Sequence, residues 1–267
     1  MSYIKTPAEI EKLREGGRYM GQILDALTDL VRPGMSTLEI DHEAERLITE
    51  AGGRPAFKGY KTRHSDPKFP ATICACLNEE VVHGIPSKKK LLKEGDIFSI
   101  DIGMEWPYSK KESGYYTDTA LTVAVGEIPQ ETKKLLAVTH EALEVGIRAA
   151  QVGNSIADIG RAIEMYVKSQ GQYGIVRDLS GHGVGHAVHE DPWVPNYYVK
   201  QLESWKIEPG AVIAIEPMIT MGDWRIRVLD DGWTIVPIDK SLSAHFEHTL
   251  VITKDGAEVL TRRPSEK

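Results

Sequence analysis

Gly95-Asp96-Ile97-Phe98-Ser99-Ile100-Asp101 returns 115 residues later as Gly210-Ala211-Val212-Ile213-Ala214-Ile215-Glu216. Each copy is a glycine turn, a short apolar run of strand type and a carboxylate at its end. Two more correspondences flank this one. Downstream, Asp118-Thr119-Ala120-Leu121-Thr122-Val123 matches Glu247-His248-Thr249-Leu250-Val251-Ile252 at an offset of 129. Upstream, Gly34-x-Ser36-x-x-Glu39-Ile40 matches Gly153-x-Ser155-x-x-Asp158-Ile159 at an offset of 119. One such match between apolar strands is ordinary coincidence. Three in order, at similar offsets, indicate an internal repeat.

The segments around the repeat agree with it. Thr6-Pro7-Ala8-Glu9 is a capping box with Pro at the first helical position. Apolar or small residues at 10, 13, 17, 20, 24, 27 and 31 then trace one helix face, and Pro33-Gly34 ends it. Ser36 opens a second helix that Gly52-Gly53 closes. Residues 54–70 read as a polar, turn-rich loop, and 71–77, 96–102 and 119–125 as strands. The order recurs with helices over 130–151 and 156–168 and strands over 211–219 and 248–253. Lys254-Asp255-Gly256 reads as a turn into a strand at Glu258–Thr261. No Pro/Gly/Ser-rich linker separates the halves. The expectation is one α+β domain over 1–267, with pseudo-twofold halves of roughly 1–126 and 127–267, an antiparallel sheet and helices on its outer face.

Composition narrows the class. The 267 residues are 41% hydrophobic and 27% charged, the balance of a globular chain able to bury a large core. Thirty-two Lys and Arg against 39 Asp and Glu give −7, which disfavours nucleic acid as a specific partner. The longest apolar runs are far short of the ~20 residues a membrane helix needs. Met1-Ser2-Tyr3-Ile4-Lys5 carries no apolar targeting run, so a cytoplasmic location is expected. Cys74 and Cys76 are too few for a thiolate zinc site.

The repeat puts Asp101 and Glu216 at matching points, and likewise Asp118 and Glu247. Each lies in or beside an apolar strand, so it is carried toward the interior. Four buried carboxylates without cations are prohibitive. A lone strand Asp is usually an edge or bulge residue, but two pairs related by a repeat are better explained by two divalent metals. Oxygen donors with an imidazole suit Mn²⁺, Fe²⁺, Co²⁺ or Zn²⁺. Ser180-Gly181-His182-Gly183-Val184-Gly185-His186-Ala187-Val188-His189-Glu190 supplies histidines. His182, between glycines that permit close backbone approach to a bound group, is the expected ligand. His189, and His83 in Val82-His83-Gly84-Ile85-Pro86, are expected to donate to a substrate carbonyl or leaving nitrogen. His186 and the remaining histidines are assigned to surface or structure.

Asn78-Glu79-Glu80-Val81-Val82-His83-Gly84-Ile85-Pro86, Ser99-Ile100-Asp101, Thr117-Asp118-Thr119, Gly181-His182-Gly183-Val184-Gly185, Ile215-Glu216-Pro217-Met218 and Phe246-Glu247-His248-Thr249 together resemble a type I methionine aminopeptidase of the short bacterial form. The resemblance runs from about residue 3 to 260. It implies the pita-bread fold and a dinuclear metal centre. It also implies removal of the initiator methionine of nascent peptides when the second residue is small and uncharged. By it, Asp101 holds one metal, Asp118 and Glu247 bridge both, and His182 and Glu216 bind the other. Glu216 also serves as proton acceptor, and His83 and His189 touch the substrate. Cys74, Met218, Trp233 and Phe69 wall the methionine pocket, with Tyr60 or Phe69 as its aromatic residue from loop 58–70. A monomer is implied, with the ribosome surface as a further contact. The chain departs from the family in a longer Asp101–Asp118 connection around Glu105–Tyr116, expected to lengthen a hairpin without moving the ligands. It also has Val188 where bacterial members often have Phe, expected to widen the pocket mouth. Prolidase and aminopeptidase P relatives are the alternative, but they usually carry a large extra N-terminal domain.

Overall fold

The structure is a computed structural model describing residues 3–61 and 67–266. The loop expected over 54–70 is therefore described except for 62–66, and Met1-Ser2 also lies outside the described residues.

Helix α1 (Pro7–Thr28) begins at the expected capping box, and α2 (Thr37–Glu50) at a second box from Ser36 and Glu39. In the second half α3 (Gln130–Ala149) and α4 (Ile156–Gln170) follow, the latter opened by Ser155 and Asp158. The same device starts α2 and α4, at the positions the repeat equates.

The first half supplies β1 (Arg54–Pro55), β2 (Ile73–Leu77), β3 (Ile97–Trp106) and β4 (Tyr115–Ala124). The second supplies β5 (Gly174–Ile175), β6 (Gly181–Gly183), β7 (Glu190–Val194), β8 (Val212–Ile215), β9 (Met218–Thr220), β10 (Ile226–Val228), β11 (Ile235–Pro237), β12 (Ser243–His245), β13 (Glu247–Thr253) and β14 (Gly256–Val259). One antiparallel sheet runs β1-β3-β4-β13-β8-β6-β7, with β2 beside β3 and β14 beside β13. The repeat is visible in that order. The pair β3–β4 of one half meets the pair β13–β8 of the other along the β4–β13 seam, where Glu247 stands opposite Ala120.

Strand alternation decides which side chains face the helices. Ile100, Ile102, Leu121, Ile213, Ile215, Leu250 and Ile252 share one apolar core with Leu24, Leu27, Leu143 and Ile163 of the helices. The residues between them, among them Asp101, Ala120 and Ala214, point to the opposite face. At ~25 cal/mol per Å², this shared core is the dominant stabilising contribution.

Four boundaries differ from the sequence reading. The strand expected over 211–219 is two, β8 in the main sheet and β9 in a three-stranded sheet with β5 and β12, because Glu216-Pro217 interrupts the ladder. β3 and β4 are ten residues each, longer than expected, because the surplus around Glu105–Tyr116 pairs on as far as Trp106↔Tyr115. The extension is anchored by Trp106, whose indole N–H donates to the Ala51 carbonyl at 2.9 Å. The loop expected over 54–70 contains β1, paired with Met104 and Glu105 of β3. The last hairpin turns on Lys254-Asp255 alone, since Thr253 already pairs with Gly256. Strands β6 and β7, around the histidine loop, were not expected, because three- to five-residue strands interrupted by Gly and Pro lack a period.

Candidate active site

Asp101 of β3 lies opposite Ala120 of β4, and Ala120 in turn lies opposite Glu247 of β13. The two carboxylates therefore flank an alanine whose methyl leaves the space between them open. Asp118 sits two residues before Ala120 on the same face, opposite Gly103. Its backbone is fixed to Thr249: the Asp118 N–H donates to Thr249 Oγ1 at 2.9 Å, and that hydroxyl donates back to the Asp118 carbonyl at 2.8 Å. Glu216 follows the last residue of β8, next to Ala214, which pairs with Thr249. The small Ala120 and Ala214 thus leave room for carboxylates carried by β3, β4, β13 and the end of β8.

His182 enters from β6, with ligand atoms of Asp118, His182 and Glu247 all within 4.8 Å of one another. Its Nδ1 faces the Gly183 carbonyl at 2.9 Å, so Nδ1 carries the proton and Nε2 keeps its lone pair. That Nε2 lies 3.6 Å from Glu216 Oε1. The flanking glycines do serve close approach, but to protein backbone rather than to a bound group. A Cβ on Gly181 would strike the Ala214 carbonyl, and one on Gly183 the Asp191 carbonyl.

Burial pushes all four carboxyl groups upward. It raises Asp101 to about 6, and Asp118, Glu216 and Glu247 well above their ordinary values; neighbouring carboxylates add to the rise at Asp101, Asp118 and Glu247. Burial depresses the imidazoles, His182 to about 3 and His83 and His189 to about 4. Asp101 Oδ1 and Asp118 Oδ1 have no hydrogen-bond partner. No Lys or Arg lines the cavity among the described residues. Orphaned buried carboxylate oxygens, a bare imidazole nitrogen and no competing cation fit a divalent metal centre.

A cavity of about 390 Å³ opens beside this cluster. It contains every site residue expected from sequence: Cys74, His83, Asp101, Asp118, His182, His189, Glu216, Met218, Trp233, Glu247 and Phe69. Both aromatic candidates of loop 58–70 are there, because Gly59 and Phe69 close its base: the Gly59 N–H reaches the Phe69 carbonyl and the Phe69 N–H the Tyr60 carbonyl, each at 2.8 Å. Phe69 packs edge-on against Trp233, and Tyr60 Oη meets His189 Nδ1 at 2.8 Å. His83 is held at φ 59° between residues paired to β2 and β11, a left-handed conformation that turns its ring toward Trp233. Val188 is not among the residues lining the cavity; it packs behind the wall with Phe57, Phe69 and Trp233.

Leu179, Phe57 and His245 are site residues that escape the sequence reading. Phe57 lies over Gly103, where a Cβ would meet its ring at 2.7 Å. His245, buried with both ring nitrogens unpartnered, stands 3.5 Å from Glu216 Oε2. Its place two residues before Glu247 was visible, but only the β9–β12 pairing, His245↔Met218, brings it to the site.

Residues 11–254 match the model of metallopeptidase family M24. The chain belongs to metallopeptidase family M24. Within that family it is 43% identical to a methionine aminopeptidase of Clostridium acetobutylicum, over 98% of this chain and 99% of that one. The crystal structure of a methionine aminopeptidase from Thermotoga maritima superposes with a TM-score of 0.88 at 39% identity, covering 97% of this chain and 99% of that one. A prolidase from Pyrococcus horikoshii shares the fold at a TM-score of 0.75 and 23% identity, and this chain covers only 63% of it. The M24 chain thus groups with the methionine aminopeptidases, in a pita-bread fold. None of its described helices is long and apolar enough to cross a membrane.

The shifted groups set a pH dependence for the metal-free M24 protein. The cavity histidines His83, His182 and His189 are depressed, so stability falls as pH drops below their unfolded value of about 6.5, where the unfolded chain binds protons first. The four site carboxyls, Asp101, Asp118, Glu216 and Glu247, are raised, so above their unfolded values of about 4 the folded state holds protons the unfolded chain has released, and stability falls as pH rises toward the raised folded values. Divalent ions replace those protons. The Tm gained on adding Mn²⁺ to metal-free protein is therefore expected to be larger at pH 8 than at pH 6, by about 4 °C or more. Differential scanning fluorimetry with and without chelator checks it; an equal or smaller gain at pH 8 contradicts it.

Proposed function

We propose that this chain removes the initiator methionine from nascent peptides whose second residue is small and uncharged. The carrying observation is the junction of two surfaces in one cavity. The unpartnered oxygens of Asp101 and Asp118 adjoin a wall of Cys74, Phe69, Met218 and Trp233. Unbranched, polarisable methionine suits such a wall, with sulfur beside aromatic rings.

Two divalent ions per chain, Co²⁺, Mn²⁺, Fe²⁺ or Zn²⁺, would be held by Asp101, Asp118, His182, Glu216 and Glu247. Their combined charge of +4 balances four carboxylates, and when bound such ions activate water at neutral pH, polarise a carbonyl and accept a free α-amine. The side chains do the rest. Glu216 takes a proton from the attacking water as the oxygen–carbon bond forms, and returns it to the nitrogen as the carbon–nitrogen bond breaks. Tyr60 donates its hydroxyl proton to His189 Nδ1, which leaves Nε2–H to donate to the developing oxyanion. His83 donates to the carbonyl or the leaving nitrogen. We read 1–267 as one catalytic domain with halves of roughly 1–126 and 127–267, acting in the cytoplasm as a monomer that meets nascent chains at the ribosome surface.

Met-X-Gly peptides with X from Gly to Leu and Lys test this reading. Efficient cleavage is expected for Gly, Ala and Ser, with kcat/KM at least about 100-fold lower for Leu and Lys. Comparable rates on Met-Lys-Gly, or preference for a proline in second position, would overturn it.

A further inference from the structure

Lys5 is only 3% exposed, and its side chain has no contact with solvent. Its Nζ donates to Glu190 Oε2 at 2.5 Å. A buried ammonium needs such a partner, but this partner has a second task. Glu190 Oε1 accepts the backbone N–H groups of both His186 and Ala187, the latter at 2.8 Å. The carboxylate therefore closes the loop that ends at His189, the residue immediately before it. That loop begins at Gly183, whose Cα pairs with Glu190. It spans the gap between His182 and His189, whose rings lie 4.4 Å apart.

The N-terminal segment is itself firmly placed. The Lys5 N–H donates to the Gly210 carbonyl at 2.8 Å, and Ile4 bridges Ala211. Gly185 lets the lysine stem pass, since a Cβ there, at φ 138°, would stand 2.5 Å from Lys5 Cε. A second tie follows at the start of α1, where Glu9 Oε1 meets His186 Nε2 at 2.7 Å.

We propose that Lys5 is a positioning residue: through Glu190 it holds the 183–190 loop, and with it His189, in the geometry the reaction uses. This rests on His189 acting as the oxyanion donor. Deprived of Lys5, Glu190 loses the cation that keeps it turned inward, and the amides of His186 and Ala187 lose their acceptor.

The test uses the full chain with Lys5→Met, His189→Ala and the double variant, assayed on Met-Ala-Ser with metal content measured. Lys5→Met is expected to lower kcat by about 10- to 100-fold, with KM within about threefold and metal content unchanged. In the His189→Ala background it should cost less than about threefold more. In metal-free protein, hydrogen exchange over 183–190 should quicken while the β3–β4 pair keeps its protection. Lys5→Gln, which can still donate to Glu190, is the second variant should Lys5→Met not fold, with a smaller loss in the same pattern. An unchanged kcat, a loss that follows metal content, an undiminished loss in the His189→Ala background, or unaltered exchange at 183–190 would overturn the proposal. If His189→Ala alone leaves kcat intact, the donor reading fails, whereas the exchange result still decides whether Lys5 holds the loop.

Discussion

Glu216→Gln is expected to lower kcat on Met-Ala-Ser by at least about 1,000-fold while the chain stays folded. Glu216 lies where the carboxylate cluster, His182 and His245 converge, 3.6 Å from one imidazole and 3.5 Å from the other. Burial raises its carboxyl well above the ordinary value, so as a free group it binds protons readily. Glutamine keeps the volume and one acceptor oxygen but cannot take a proton. Folding should survive, since glutamine resembles the protonated carboxyl that burial favours, and circular dichroism with thermal melting checks that. Activity within tenfold of the unmodified chain would remove Glu216 from the proton path.

His189→Ala is expected to cost about 100- to 1,000-fold in kcat, the range for loss of one well-placed oxyanion donor. KM and metal content should change little. The ring is neutral across the working range, because burial depresses it to about 4, and it donates as an imidazole rather than an imidazolium. Consequently kcat should show no inflection from His189 between pH 6 and 8. Purification of the variant with less metal would instead make His189 a ligand and shift its role to another histidine.

Much of this was legible because the chain states the site twice. The Asp101/Glu216 and Asp118/Glu247 correspondences reappear as the symmetric strand order β3-β4-β13-β8. The place of these carboxylates in or beside apolar strands shows that they are carried inward; the structure adds that they face away from the isoleucines that meet the helices. What stayed hidden depended on register between distant strands. Nothing near Ala120 says that it separates Asp101 from Glu247; that follows only from two cross-strand pairings. Nor does Lys5 announce a partner 185 residues away. Nor does the place of Val188 beside His189 say that it packs behind the cavity wall with Phe57, Phe69 and Trp233. The helix starts were legible for a local reason, since a capping box is complete within four residues.

The central claim is that the buried carboxylates and His182 form a metal centre on which peptide cleavage depends. Titrating rigorously metal-free protein with Mn²⁺ under anaerobic conditions, and following methionine release from Met-Ala-Ser, tests it most directly. The account predicts less than about 1% of full activity without metal, and recovery complete by two equivalents per chain. Full activity in the metal-free protein, or recovery absent at any metal concentration, would contradict it.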